Sequence, residues 1–139
     1  MNKLQLIISS FSYKKGLPTS TSEHGGGFIF DCRAVHNPGR YQEYKEVTGK
    51  DLPVIRFFEQ ESTMHQFLKP VFSLINMSLE TYLQRHFTHI EAHFGCTGGQ
   101  HRSVYAAEQL KSYVEKTFPS NVEIHIHHRE QPHLNHSPI

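Results

Sequence analysis

Residues 89–103 read HIEAHFGCTGGQHRS, and VYAAEQLKSYVEKTFP carries the chain on to Pro119. Ile90, Ala92 and Phe94 alternate with other residues at a period of two, so 89–95 is expected to be a β-strand. Past the loop, Val104, Ala107, Leu110, Val114 and Phe118 recur at three- and four-residue steps, which predicts a helix over 101–118. Pro119 ends it. Strand, glycine-rich loop and helix, in that order, are the unit from which parallel α/β sheets are built.

Outward from this unit the same reasoning gives the rest of the domain. Residues 3–11 alternate Leu4, Leu6 and Ile8 and predict a first strand. FIFDC at 28–32 is a short apolar run that suits a buried second strand. NVEIHIHH at 121–128 alternates as a last one. The long helix covers 62–87, with Met64, Phe67, Leu68, Val71, Phe72, Ile75, Leu79, Tyr82 and Leu83 on one face. Glu61 and Ser62 start it, and Pro70 is expected to kink it or open its second half. Asn37-Pro38-Gly39 and Thr48-Gly49 are turn signals, with one helical turn around 41–45 between them. The polar stretch 14–27 is a loop, mobile at Gly25-Gly26-Gly27, and 129–139 has no apolar pattern, so the tail from 130 is expected to be disordered. The expectation is one α/β domain over 1–139, a largely parallel or mixed sheet of about four strands with helices packed over it.

The chain has 139 residues, with fourteen Lys and Arg against thirteen Asp and Glu, a formal charge of +1. That balance excludes a strongly basic nucleic-acid binder and an acidic solvating tail as descriptions of the whole chain. No run of about 18 apolar residues exists to span a membrane. Nor does the N-terminus carry a signal peptide's apolar stretch. Cys32 and Cys96 are too few for a disulfide scaffold and fit a reducing cytoplasm.

In parallel sheets ligands bind beyond the carboxyl ends of the strands, which directs attention to 95–103. Glycines there let successive N–H groups point inward as an anion-binding nest. The following helix aims its unpaired N–H groups and dipole at the same place. Arg102 adds a planar charged fork, and Thr97 and Ser103 add hydroxyls. The candidate phosphate-binding residues are Cys96, Thr97, Gly98, Gly99, Gln100, His101, Arg102 and Ser103. His101 could donate to a phosphate when protonated. The bland alternative is a tight glycine turn in which Ser103 caps the helix. A catalytic alternative also fits: Cys96, Gly99, Arg102 and Ser103 match the C-x-x-G-x-x-R-[ST] loop of cysteine-dependent phosphatases, with Cys96 as nucleophile. Against it, Gly95 stands where that family usually has His, and Asp31 and Asp51, the only acid candidates, sit in no recognisable acid loop.

GCTGGQHRSV followed by YAAEQL closely resembles the C-terminal domain of the RapZ/YvcJ family of bacterial RNase adapter proteins. FDCR at 30–33, Asn37-Pro38, Thr48-Gly49, His128-Arg129 and the opening SFSYKKGLP at 10–18 extend the resemblance over nearly the whole chain. Family members join a P-loop ATPase-like domain to this one. The sequence contains no G-x-x-x-x-G-K-[ST], so it looks like the C-terminal half alone, and a nucleotide-binding label would belong to the other half. The resemblance implies a non-catalytic sensor that binds an amino-sugar phosphate, glucosamine-6-phosphate, without a cofactor. Asp31, Arg33 and Asn37 would then wall the pocket beside 96–103. It also implies RNA or a ribonuclease as partner, with Lys14, Lys15, Arg40, Lys45 and Arg129, together with Arg33 and Lys50, as candidate RNA contacts; the bland alternative for these scattered charges is a solvated surface, and a homodimer is the assembly that stays open. The tail QPHLNHSPI lacks the basic ending of the family's RNA-binding members.

Twelve histidines are an outlier. His125 and His127 share one strand face, and His133 and His136 make a loose cluster with them. No cysteine or carboxylate spacing supports a zinc site there, so no metal is expected. His89 and His93 share a face opposite Ile90 and Ala92 and are expected to meet neighbouring side chains. Cys32 and Cys96, each ending a strand, are expected near one rim.

Overall fold

The computed structural model describes residues 3–20, 22–23 and 26–135. Among these, four strands form one sheet, β1 (Leu4–Ser12), β2 (Gly27–Asp31), β3 (His89–Cys96) and β4 (Val122–His128), in the order β2-β3-β1-β4. Every pairing is parallel. The three helices are α1 (Leu52–Gln60), α2 (Ser62–Gln84) and α3 (Arg102–Thr117). This is the single α/β domain that the alternation of strand and helix predicts.

The register decides which side chains share a face. Leu6 pairs with Ile90 and Ile124, Ile8 with Ala92 and Ile126, and Phe30 with Phe94. These residues turn toward the helices and join Val54, Phe58, Met64, Leu68, Val71, Ile75, Leu79, Leu110 and Val114 in one core. The opposite face carries Gln5, Ser9, His89, Glu91, His93, Glu123, His125 and His127. A parallel sheet is usually apolar on both faces; the second face of this one is mostly polar, with Ile7, Phe11 and Ile29 as its apolar members.

Several expectations need correction. β2 is not a buried strand: it lies at the sheet edge, alternating exposed with half-buried residues, and Ile29 is 46% exposed. Its apolar run serves only one face, where Phe30 stacks on Phe94 and meets Phe67 edge-on. Helix α2 runs through Pro70 without a break. Glu61 caps its start by accepting from the Thr63 amide. The segment before it, which carries no long periodicity, forms a helix of its own, α1, with Pro53 in its first turn. The single turn expected around 41–45 is present as short 3-10 helices at Pro38–Arg40 and Gln42–Tyr44.

The tail also departs from expectation. Pro132–Asn135 forms a 3-10 turn, and Asn135 clasps His128 by accepting from its amide at 2.7 Å and donating to its carbonyl at 3.2 Å. Residues 136–139, His136 of the loose histidine cluster among them, and Gly25 lie outside the described residues. No helix among the described residues is long and apolar enough to cross a membrane.

Candidate functional site

The loop 97–101 leaves β3 and enters α3 at the carboxyl edge of the sheet, beside the ends of β1 and β4. Gly99 sits at φ +66, the left-handed region that glycine adopts without strain. Its α-carbon also packs against the Glu130 side chain, where a β-carbon would come within 3.1 Å of Glu130 Cβ and Cγ. Ser12 Oγ donates to the Thr97 carbonyl and holds the loop to β1. No side chain caps α3. Ser103 lies inside the first turn, buried, and its Oγ accepts from Cys96 Sγ at 3.1 Å. The reading of Ser103 as a helix cap therefore falls away.

A cleft of about 340 Å³ opens at this place, lined by Asn37, Gly39, Lys45, Cys96, Thr97, Gly98, Gln100, His101 and Arg102. A larger hollow, about 420 Å³, lies at the opposite end of the sheet around Lys3, Leu83, His86 and Asn121. That end meets the carboxyl terminus of α2, whose carbonyl dipoles oppose an anion. Size does not decide here; the donors do.

Three side chains of the loop reach across to the segment 33–49. Gln100 Nε2 donates to the carbonyls of Lys45 (2.8 Å) and Val47 (2.9 Å). His101 Nε2 donates to the Tyr44 carbonyl at 2.7 Å. Arg102 donates through one terminal nitrogen to the carbonyls of Arg33 (2.8 Å) and Val35 (3.1 Å). In return the Gly49 amide donates to the Gln100 carbonyl. These residues build one wall of the cleft before any ligand enters it. Arg102 is 5% exposed, and its Nε is buried without a hydrogen-bond partner. An orphaned guanidinium donor at an uncapped helix start is a demand for an acceptor.

His101 has a defined role in this geometry. Burial pushes its pKa below the ordinary histidine value, against the opposing pull of its bond to the Tyr44 carbonyl. With Nε2 carrying the hydrogen, Nδ1 holds a lone pair. The expectation that a protonated His101 donates to a phosphate does not follow from this arrangement.

The other candidate residues fall into separate places. Asn37 lines the cleft, and its Oδ1 accepts from the Gly39 amide at 2.9 Å. Asp31 and Arg33 pair with each other at 2.7 Å, and the Arg33 hydrogen bonds hold the Asp31 carboxyl below its usual range. The Arg33 guanidinium also lies 4.0 Å over the Tyr13 ring. Only its backbone carbonyl turns to Arg102. Lys14 and Lys15 are exposed beside that ring, and Arg129 joins them by donating to the carbonyls of Ser12 and Gly16. Arg40, Lys45 and Lys50 are exposed on the segment that walls the cleft.

Sequence reading missed a second cluster at this rim. His128 is 1% exposed, with Nδ1 at 2.6 Å from Ser10 Oγ and Nε2 at 2.7 Å from Glu108 Oε2. Its only signal in the sequence is a histidine on the apolar parity of an alternating strand. On the other face Glu91 accepts from His89, His93 and Ser20, each at 2.7 Å. Burial alone would raise its pKa, but those hydrogen bonds outweigh it and hold the carboxyl at about 2. His125 and His127 are exposed on that same face, and among the described residues no three His, Cys, Asp or Glu side chains are arranged to hold a metal ion.

A parallel sheet whose third strand runs through a glycine loop into an uncapped helix defines a class of α/β domain with its cleft at the carboxyl edge. The model of the RapZ C-terminal domain family matches residues 4–132, and the chain belongs to that family. Relatives named as nucleotide-binding proteins include one from Marinobacter nauticus, 33% identical over 95% of this chain and 42% of its own length. One from Acinetobacter baylyi is 34% identical over 95% of this chain and 44% of its own length. One from Nitrosomonas eutropha is 39% identical over 78% and 36%. The chain thus spans about two fifths of the relatives it matches.

Proposed function

We propose that this domain is a non-catalytic sensor that binds a phosphorylated small molecule, an amino-sugar phosphate such as glucosamine-6-phosphate, in the cleft formed by residues 95–103. The observation that carries this reading is Arg102: buried, at the start of a 16-residue helix without a cap, lining the cleft, with Nε unpartnered. The uncapped α3 amides and the guanidinium charge of Arg102 beside them together suit a phosphate. The His101 Nδ1 lone pair supports a ligand that also carries a donor, as the hydroxyl and ammonium groups of an amino sugar do. The nucleotide-binding names belong to relatives more than twice as long, and this sequence has no G-x-x-x-x-G-K-[ST] of its own.

An amide NMR titration with glucosamine-6-phosphate tests it, with inorganic phosphate, glucosamine and ATP as separate arms. The expected result is a shift at 95–103 that is large with the sugar phosphate, small with phosphate and absent with glucosamine. A response to ATP alone would transfer the relatives' label to this domain instead. No shift at the loop with any phosphate overturns the reading.

One observation favours a second reading, a cysteine-dependent phosphatase: Cys96 Sγ and the Ser103 hydroxyl are hydrogen-bonded within a loop of matching spacing. Hydrolysis of an aryl phosphate that vanishes in Cys96→Ser would establish it. The exposed Lys14, Lys15 and Arg33 beside Tyr13 support an RNA-contacting rim, in keeping with an RNase-adapter-like regulator in the cytoplasm. A gel shift with structured RNA, compared with Lys14→Glu/Lys15→Glu, reads that out.

A further inference from the structure

Cys32 and Cys96 are the chain's only cysteines, and both are free thiols. Cys32 follows the last residue of β2, and its amide donates to the Gly95 carbonyl at 2.8 Å. That bond carries the Asp31–Gly95 register one step further and sets Cys32 opposite Cys96. Both side chains sit in the helix-facing core, 0% and 3% exposed, and so point to one side of the sheet. Neighbouring strands run about 4.8 Å apart, within the Cα separation of about 4.4–6.8 Å that a disulfide spans. Of the two, Cys96 lines the cleft and Cys32 lies behind it.

We infer that Cys96 and Cys32 form an oxidant-sensing dithiol, in which a small hydroperoxide entering the cleft converts the pair to an intramolecular disulfide. The sulfur of Cys96 attacks the hydroperoxide, the O–O bond breaks, and the leaving oxygen departs with the thiol proton as water or an alcohol. Cys96 is then a sulfenic acid. Cys32 Sγ attacks that sulfur, the S–O bond breaks, and the hydroxyl leaves with the Cys32 proton as water. Two thiols and one hydroperoxide become one disulfide, one water and one further water or alcohol, so electrons balance.

The division of labour follows from position. Burial, reinforced by the neighbouring Cys96, pushes the Cys32 thiol up, which leaves it inert toward solvent oxidants by itself. Its reach is limited to the sulfur beside it. Oxidation would also remove the Cys96 donor from Ser103 and tie the end of β2 to the loop that enters α3. The inference stands whether or not the cleft binds phosphate.

The test uses the full chain, folded and reduced, exposed to hydrogen peroxide, then alkylated under denaturing conditions and weighed intact before and after dithiothreitol. The expected result is loss of both alkylatable thiols, a mass lower by two hydrogens, a peptide joining Cys32 to Cys96, and full return with dithiothreitol. In Cys32→Val the same treatment should leave Cys96 open to a sulfenic-acid trap. Wild-type protein that keeps both thiols, gains oxygen at Cys96, or links between chains overturns the inference. The wild-type mass alone decides, so a variant that fails to fold removes nothing from the test.

Discussion

Ser9 and Ser10 are consecutive in β1, yet each closes a hydroxyl–imidazole–carboxylate chain on a different face of the sheet. Ser9 Oγ meets His93 Nδ1 at 2.5 Å, and His93 Nε2 meets Glu91. Ser10 Oγ meets His128 Nδ1, and His128 Nε2 meets Glu108. In both chains the serine contacts Nδ1 and the carboxylate Nε2, and both serines are buried at 1% or less. They join strands and helix; they present no hydroxyl to a substrate.

His128→Ala should therefore act on stability. It removes a buried ring, takes the imidazole from Ser10 and leaves Glu108 with Lys50 at 4.0 Å in place of its 2.7 Å bond, an expected loss of about 2–4 kcal/mol. Glu108→Gln keeps the shape and one hydrogen bond and should cost about 1 kcal/mol. Urea unfolding of the two variants checks both the size and the order. Equal costs would mean that the packing of the ring and its bond to Ser10 contribute nothing beyond the bond to Glu108.

Glu91 gives the pH dependence. Its carboxyl lies at about 2 in the folded chain against an ordinary 4.5. A depressed folded value stabilises above the unfolded one, so the full contribution is present above pH 4.5 and declines as pH falls toward 2. The difference corresponds to about 3 kcal/mol. Stability curves of wild type and Glu91→Gln should converge across that window. Parallel curves would remove Glu91 from the acid limb.

Gly49 touches the start of α3 closely enough that a β-carbon would stand 2.4 Å from the His101 carbonyl and 2.5 Å from the Tyr105 amide. Both obstacles are helix backbone and cannot swing aside. Gly49→Ala should cost at least about 2 kcal/mol and raise amide exchange through 44–50, where Gln100 and His101 hold the wall. Unchanged exchange there would show that the wall does not depend on this approach.

Arg102 separates charge from shape. Arg102→Lys keeps the positive charge but loses the terminal guanidinium nitrogen that donates to both the Arg33 and Val35 carbonyls, so sugar-phosphate affinity should fall at least about tenfold. Isothermal titration measures it. Retained affinity in the lysine variant would mean that the α3 amides alone hold the phosphate.

Legibility in the sequence tracked how local the physics is. The strand–loop–helix at 89–118 declared itself because period-two and period-three-to-four patterns need only neighbours in the chain. The family resemblance likewise rests most heavily on consecutive residues, 95–110. Helix α1 stayed hidden because Leu52–Gln60 holds too few turns to show a period and carries a proline near its start. The edge position of β2 was unreadable because FIFDC looks the same whether one face or two are covered. Gln100, His101 and Arg102 read as phosphate ligands, yet their side chains grip carbonyls 53 to 69 residues away in the chain, a pairing that no spacing within the loop encodes.

The paired serines of β1 also police strand alignment. Were β1 to slide by one position, Ser10 would turn toward His93, Phe11 would confront His128, and Leu4, Leu6 and Ile8 would rotate out of the core. Both imidazoles would lose their proper neighbour at once. In a sheet whose second face is mostly polar, polar side chains thus take over the alignment duty that a second greasy face performs elsewhere. The same dipeptide that looks like a minor break in an apolar strand is what keys that strand into a single groove between its neighbours.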